Sequence, residues 1–141
     1  DDVESTRSCL TNCGIASEKS GNTVRVTGGH FQVPQLPLHC GNSGTTVRLM
    51  AGLLAGKGIS AQFTGDKSLS KRPMKRIIDP LEKMGLTIES ENGHLPMLLR
   101  PDNVTGIHYS TPVASAQVKS CIILAGLGAS GETQHPVEHH V

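Results

Sequence analysis

Leu38-His39-Cys40-Gly41-Asn42-Ser43-Gly44-Thr45-Thr46-Val47-Arg48-Leu49-Met50 decides the fold. It reads as the end of a strand, a loop of glycine and small polar residues, and then a helix. The predicted helix runs from about Ser43 to Ala55, carries Val47, Met50, Leu53 and Leu54, and ends at Gly56. A helix opened this way can hold an anion: free backbone N–H groups and the positive end of the helix dipole point outward, with hydroxyls and a cation in reach. Ala114-Ser115-Ala116-Gln117-Val118-Lys119-Ser120 repeats the device ahead of the apolar run Val118–Leu127. Two such helix starts imply a substrate with more than one acidic group, or two acidic substrates.

Working outward, Ile59–Thr64 reads as a strand, and Met74, Ile77, Ile78, Leu81 and Met84 give a helical period opened by Pro73 and interrupted by Pro80. Gly85 closes that helix. Strands over Leu86–Ser90 and Leu95–Leu99 flank a Glu91-Asn92-Gly93 turn. Upstream, Asp1–Cys13 reads as a helix with Asp1 as N-cap, Glu4 as its reciprocal partner, and Val3, Leu10 and Cys13 on one face. Two strands follow near Ile15–Ser17 and Thr23–Thr27, and Gly28–Pro37 is irregular. Downstream, a strand is expected over about Val104–Ser110 and another from near Glu132. Leu10-x-x-Cys13-Gly14-Ile15 echoes Leu81-x-x-Met84-Gly85-Leu86, and Met50-Ala51-Gly52-Leu53 echoes Leu124-Ala125-Gly126-Leu127 at nearly the same separation. The chain therefore reads as α/β, built of repeated β-α-β-α-β-β units. About two are present: the end of a first unit over 1–37, a complete second over 38–100, and the first half of a third over 101–141 with an atypical tail.

Composition narrows the function. With no Trp, one Tyr and two Phe, the chain lacks the aromatic faces on which bases stack. A net charge of +1 offers no field for nucleic acid or a membrane surface. No apolar run approaches the roughly 18 residues of a membrane span, and no signal peptide opens the chain. The first residue is Asp1, and the chain is expected to be cut from something longer or processed. Cys9, Cys13, Cys40 and Cys121 read as small apolar core positions in a reducing cytoplasm. Joining Cys9 and Cys13 to His135, His139 and His140 as metal ligands is the alternative, but the spacing is not that of a zinc site and no metal is expected.

Three strings carry a family resemblance. Leu38–Met50 resembles the glycine-loop signature of the 5-enolpyruvylshikimate-3-phosphate (EPSP) synthases. Gly65-Asp66-Lys67-Ser68-Leu69-Ser70-Lys71-Arg72-Pro73-Met74 resembles the second signature, and Pro112-Val113-Ala114-Ser115-Ala116-Gln117-Val118-Lys119-Ser120 the third. They follow in the family's order and spacing, and the similarity runs from Asp1 to about Thr133. The resemblance implies the enolpyruvyl transferase type of fold. It also implies transfer of the enolpyruvyl group of phosphoenolpyruvate to the 5-hydroxyl of shikimate-3-phosphate, with release of phosphate and no cofactor. Asn42, Gly44, Thr45, Arg72 and Gln117 match phosphoenolpyruvate-site positions. Ser115, Ala116 and Gln117 match the shikimate-3-phosphate site. A guanidinium at Arg72 suits a carboxylate or phosphate. The plainer alternatives are a turn glycine at 44, a helix-start residue at 117, and a solvated basic face of Lys67, Lys71, Arg72, Lys75 and Arg76. Arg48 reads as support for the loop.

The family also implies groups that these strings do not contain: a Lys-Ser…Arg set, a Ser-Arg-Asp-His-Thr motif, and a second domain carrying the catalytic Asp and Glu. Catalytic residues are therefore unassigned. Asp66, His30 and Glu138 are the nearest acid–base candidates, and none matches a family catalyst. The chain is expected to be a partial or reduced form with weak turnover at best. The alternatives are a non-catalytic fragment that binds shikimate-3-phosphate weakly or needs a complementing second domain, and an excised piece with no ligand. A second domain or a homodimer is the expected protein partner. Glyphosate, which occupies the family's phosphoenolpyruvate pocket, is the expected inhibitor.

Overall fold

The computed structural model describes residues 1–110 and 115–134 of the chain, and these form a mixed α/β fold. Helix α1 (Asp2–Asn12) leads to a separate hairpin of β1 (Ser17–Ser20) and β2 (Thr23–Val26). Then come β3 (Leu38–His39), α2 (Gly44–Lys57), β4 (Ala61–Thr64), the short α3 (Lys67–Ser70), α4 (Lys75–Lys83), β5 (Thr87–Glu91), β6 (His94–Arg100) and α5 (Ala116–Gly128). The main sheet has the order β3-β4-β6-β5. The β3/β4 pair is parallel and the other two pairs are antiparallel. A parallel pair needs a crossover, and α2 supplies it.

Alternation along the strands fixes which face the helices cover. Leu95, Met97 and Leu99 of β6 and Phe63 of β4 are buried, while Pro96 and Gln62 between them are exposed. The buried set packs against Val47, Met50, Ala51 and Leu54 of α2, Ile77 and Leu81 of α4, and Val118, Cys121, Ile122 and Ala125 of α5. The β5–β6 turn is Asn92-Gly93, both with positive φ (55° and 83°), the two-residue turn whose twist matches the strands it joins.

Local elements depart from the sequence expectation at identifiable points. Asp1 caps α1, accepting from the Val3 and Glu4 N–H groups, but Glu4 pairs with Arg7 and Lys19 through its side chain. Val3 is 54% exposed, because the buried stripe of α1 lies along Cys9 and Cys13. The first hairpin begins two residues later than expected, at Ser17, and Ile15 packs into the core instead. The predicted end of α2 at Gly56 is wrong: the helix continues to Lys57 and ends at Gly58 in the left-handed region (φ 71°). Gly56 is there for packing, since a Cβ on it would stand 2.8 Å from the Leu124 carbonyl oxygen. The helix expected from Pro73 starts at Lys75, after a separate short α3, with Pro80 inside it. Residues 104–110 form no strand but two isolated parallel bridges, Thr105 to Ser130 and His108 to Gln134. A ladder needs consecutive partners, and among the described residues the two bridges are three residues apart on one segment and four on the other.

Candidate functional site

Helices α2 and α5 lie side by side and run the same way. Arg48 of α2 meets Gln117, Gly52 abuts the backbone of Cys121, and Gly56 abuts Leu124 and Ala125. Glycine at 52 is what permits this, because a Cβ there would lie 2.8 Å from Cys121 Cα. The consequence is electrostatic. Parallel packing brings both helix N-termini, with their unpaired N–H groups and positive dipole ends, to one end of the molecule.

Ser43 caps α2, its hydroxyl oxygen accepting from the Thr46 N–H at 3.0 Å. The fully buried Thr46 hydroxyl lies 2.8 Å from both Ser43 Oγ and Thr6 Oγ1 and 3.3 Å from the Asp2 carbonyl, which fastens the loop to α1. From below, the Gly41 carbonyl accepts from the Asp66 N–H at 2.9 Å. Asn42 Nδ2 donates to both Asp66 carboxylate oxygens at 3.2 Å. Asp66 also caps α3 by accepting from the Leu69 N–H at 2.8 Å. That backbone bond, then the Asn42 amide, holds the Asp66 carboxyl below its usual range. An acid kept ionised and already committed is a loop anchor and a poor proton donor.

Over the start of α2 stand two guanidinium groups. A Cβ placed on Gly44 would lie 2.7 Å from Arg48 Nη1 and 2.9 Å from Arg72 Nη1. Arg48 Nη1 donates to Gln117 Oε1 at 2.7 Å, and Gln117 Nε2 donates to Thr45 Oγ1, also at 2.7 Å. Burial, followed by the positive charges of Arg72 and Arg76, pushes the Arg48 guanidinium below its usual value. Like charges gathered on two helix N-termini repel unless an anion joins them. Ser115 caps α5, its oxygen accepting from the Val118 N–H at 3.3 Å, which leaves its hydroxyl proton unspent. Ala116, next to it, is exposed.

Gly44, Thr45, Arg72 and Gln117 thus converge, Ser115 and Ala116 open the adjoining helix, and the Asn42 amide nitrogen is directed to Asp66. Sequence reading gave Arg48 only a supporting role and left Arg76 on a solvated face. Arg48 follows Gly44 by four residues on α2, and that spacing is the signal that would have placed it over the helix start; Arg76 is exposed on α4, in keeping with the expectation. Residues 112–114 of the third signature, His135, His139, His140 and Glu138 lie outside the described residues. Among the described residues no three His, Cys, Asp or Glu side chains gather as metal ligands, and no helix is long and apolar enough to cross a membrane. All four thiols are buried. Cys9 Sγ sits 3.9 Å from Cys40 Sγ. A cavity of about 380 Å³ at the far end of α2, beside Lys57 and Asp102, shares no residue with this arrangement.

The family model for EPSP synthase (3-phosphoshikimate 1-carboxyvinyltransferase) matches residues 1–139, and the chain belongs to that family. It is 46% identical over 139 residues to the 3-phosphoshikimate 1-carboxyvinyltransferase of Salinibacter ruber, a match covering 94% of this chain and 32% of that protein. To the Maricaulis maris enzyme of the same name it is 54% identical over 106 residues, covering 75% of this chain and 24% of the relative. The EPSP synthase structure from Acinetobacter baumannii superposes with a TM-score of 0.89 at 39% identity, over 98% of this chain and 33% of that one. The chain spans about a third of the length of the curated relatives it matches.

Proposed function

We propose that this chain supplies the substrate-anion cradle of an enolpyruvyl transferase that moves the enolpyruvyl group of phosphoenolpyruvate to shikimate-3-phosphate and releases phosphate. The observation that carries the reading is the pair of adjacent helix N-termini with the Arg48 and Arg72 guanidiniums over the first of them. Two polyanions need such a surface. Gly44, Thr45 and Arg72, with the loop that Asn42 anchors, hold phosphoenolpyruvate. Ser115 and Ala116, through a hydroxyl and a backbone N–H, hold the shikimate phosphate, and Gln117 lies between the two. Residues 1–37, 38–100 and 101–141 are the end, whole and beginning of successive β-α-β-α-β-β units. Four buried thiols suit a reducing cytoplasm.

The reaction begins with protonation of the phosphoenolpyruvate methylene carbon. The 5-hydroxyl then attacks C2 to give a tetrahedral ketal, and phosphate departs. The cradle stabilises the anionic ends and orients them, but it does not move protons. Asp66 is held ionised and occupied, so the cradle binds and turnover by these 141 residues is weak. A coupled phosphate-release assay with both substrates tests this. A rate within about tenfold of a full-length enzyme, roughly 1.4 kcal/mol in barrier, overturns it. The 32% coverage of its relatives favours a second reading in which catalysis needs a complementing domain. Adding the separately produced remainder of a relative then raises the rate, whereas a second copy of this chain does not.

A further inference from the structure

We infer that Arg48 is a positioning residue that sets the direction of the Thr45 hydroxyl, acting through Gln117; the inference rests on the proposed anion cradle. A guanidinium only donates hydrogen bonds. The Gln117 atom 2.7 Å from Arg48 Nη1 must therefore be its oxygen, whichever way the amide is first drawn. That choice turns Nε2, a donor, toward Thr45 Oγ1 at 2.7 Å. Thr45 Oγ1 must then accept, so its own proton points elsewhere. Among the described residues the Gln117 amide is the one hydrogen-bond partner of the Thr45 hydroxyl, so its proton is not taken up within them. At the first turn of α2, beside Gly44 and the two guanidinium groups, an anion held by the proposed cradle would accept it. Arg48 thus acts twice: as a charge, and as the fixed end of a chain of polarity running Arg48 to Gln117 to Thr45 to the anion. The chain joins α2 to α5 through residues 69 and 72 positions apart.

The relay and a simple charge effect differ in a double-mutant cycle. Phosphoenolpyruvate is titrated into the full chain and followed by ¹⁵N–¹H shifts. Thr45→Val costs about tenfold in affinity, one directed hydrogen bond to a charged group. In an Arg48→Met background the same change costs less than about twofold, because the Gln117 amide is free to turn and the Thr45 hydroxyl is no longer aimed. Gln117→Leu, which leaves Arg48 in place, removes the Thr45→Val cost in the same way and serves if Arg48→Met does not fold. Arg48→Lys, still a donor, restores the larger cost. An equal Thr45→Val factor in all backgrounds overturns the relay. The Gln117 side-chain amide resonances give a readout that needs no ligand: they shift in Arg48→Met, and unchanged resonances overturn the relay too. Shifted resonances in a chain that binds no phosphoenolpyruvate uphold the Arg48–Gln117 arrangement and overturn the substrate reading instead.

Discussion

Replacing Gly44 by alanine separates binding from folding. The added Cβ would stand 2.7 Å from Arg48 Nη1 and 2.9 Å from Arg72 Nη1. Ordinary contact lies near 3.5 Å, so each nitrogen must retreat by roughly 0.6–0.8 Å. Both are the far ends of flexible side chains, and the retreat costs the fold little. Alanine is also the better helix former, by roughly 0.5–1 kcal/mol over glycine, so the melting temperature holds or rises slightly. Binding is another matter. The methyl group occupies space directly over the helix start, and the displaced guanidiniums no longer meet an anion at hydrogen-bond distance. Losing one hydrogen bond between charged groups costs roughly 1.5–3 kcal/mol, which is tenfold or more in affinity. Gly44→Ala is therefore expected to weaken phosphoenolpyruvate and glyphosate together by about tenfold while leaving thermal unfolding unchanged. Titration by calorimetry or NMR, with a parallel melting curve, checks both halves. Equal affinities before and after the change, in a variant that melts normally, would refute the claim that Gly44 keeps the cradle open.

Two further outcomes test the framework around the site. Gly52→Ala meets backbone instead of flexible side chains, with its Cβ 2.8 Å from Cys121 Cα and 2.9 Å from Cys121 C; it should destabilise the chain by about 1–3 kcal/mol, seen as a melting temperature several degrees lower, and should weaken anion binding by spreading α2 from α5. Cys13 and Cys121 should resist alkylation in the native state: burial holds Cys13 up at about 11 and Cys121 at about 12, so at pH 8 their reactive thiolate is scarce as well as inaccessible. Iodoacetamide followed by mass spectrometry should modify them only in denaturant, and native-state labelling of Cys121 at a free-thiol rate would contradict the packing of α5 on α2.

Much of this arrangement is written in local sequence because it rests on local physics. The alternation in His94–Arg100 gives a half-buried strand, Asn92-Gly93 a two-residue turn, and the period of Ile77, Ile78 and Leu81 a helix with one buried face. The glycine loop and Ser115 announce two helix starts, because capping depends on residues within three or four positions. Where the sequence misleads, a distant neighbour is responsible. Gly56 resembles a helix end because nothing nearby explains a mid-helix glycine, whereas the explanation is α5. Val104–Ser110 resembles a strand because strand propensity is local while a ladder is not.

The division is sharpest at the cradle itself. Sequence alone determined where the two helix starts fall and which small residues open them. Only tertiary packing decided that they stand side by side, that Arg48 and Arg72 share the space above Gly44, and that one amide links the two helices. Caps and dipoles are properties of a single turn of backbone. The field felt by an anion is the sum over every charge within a few ångströms, whatever their separation along the chain.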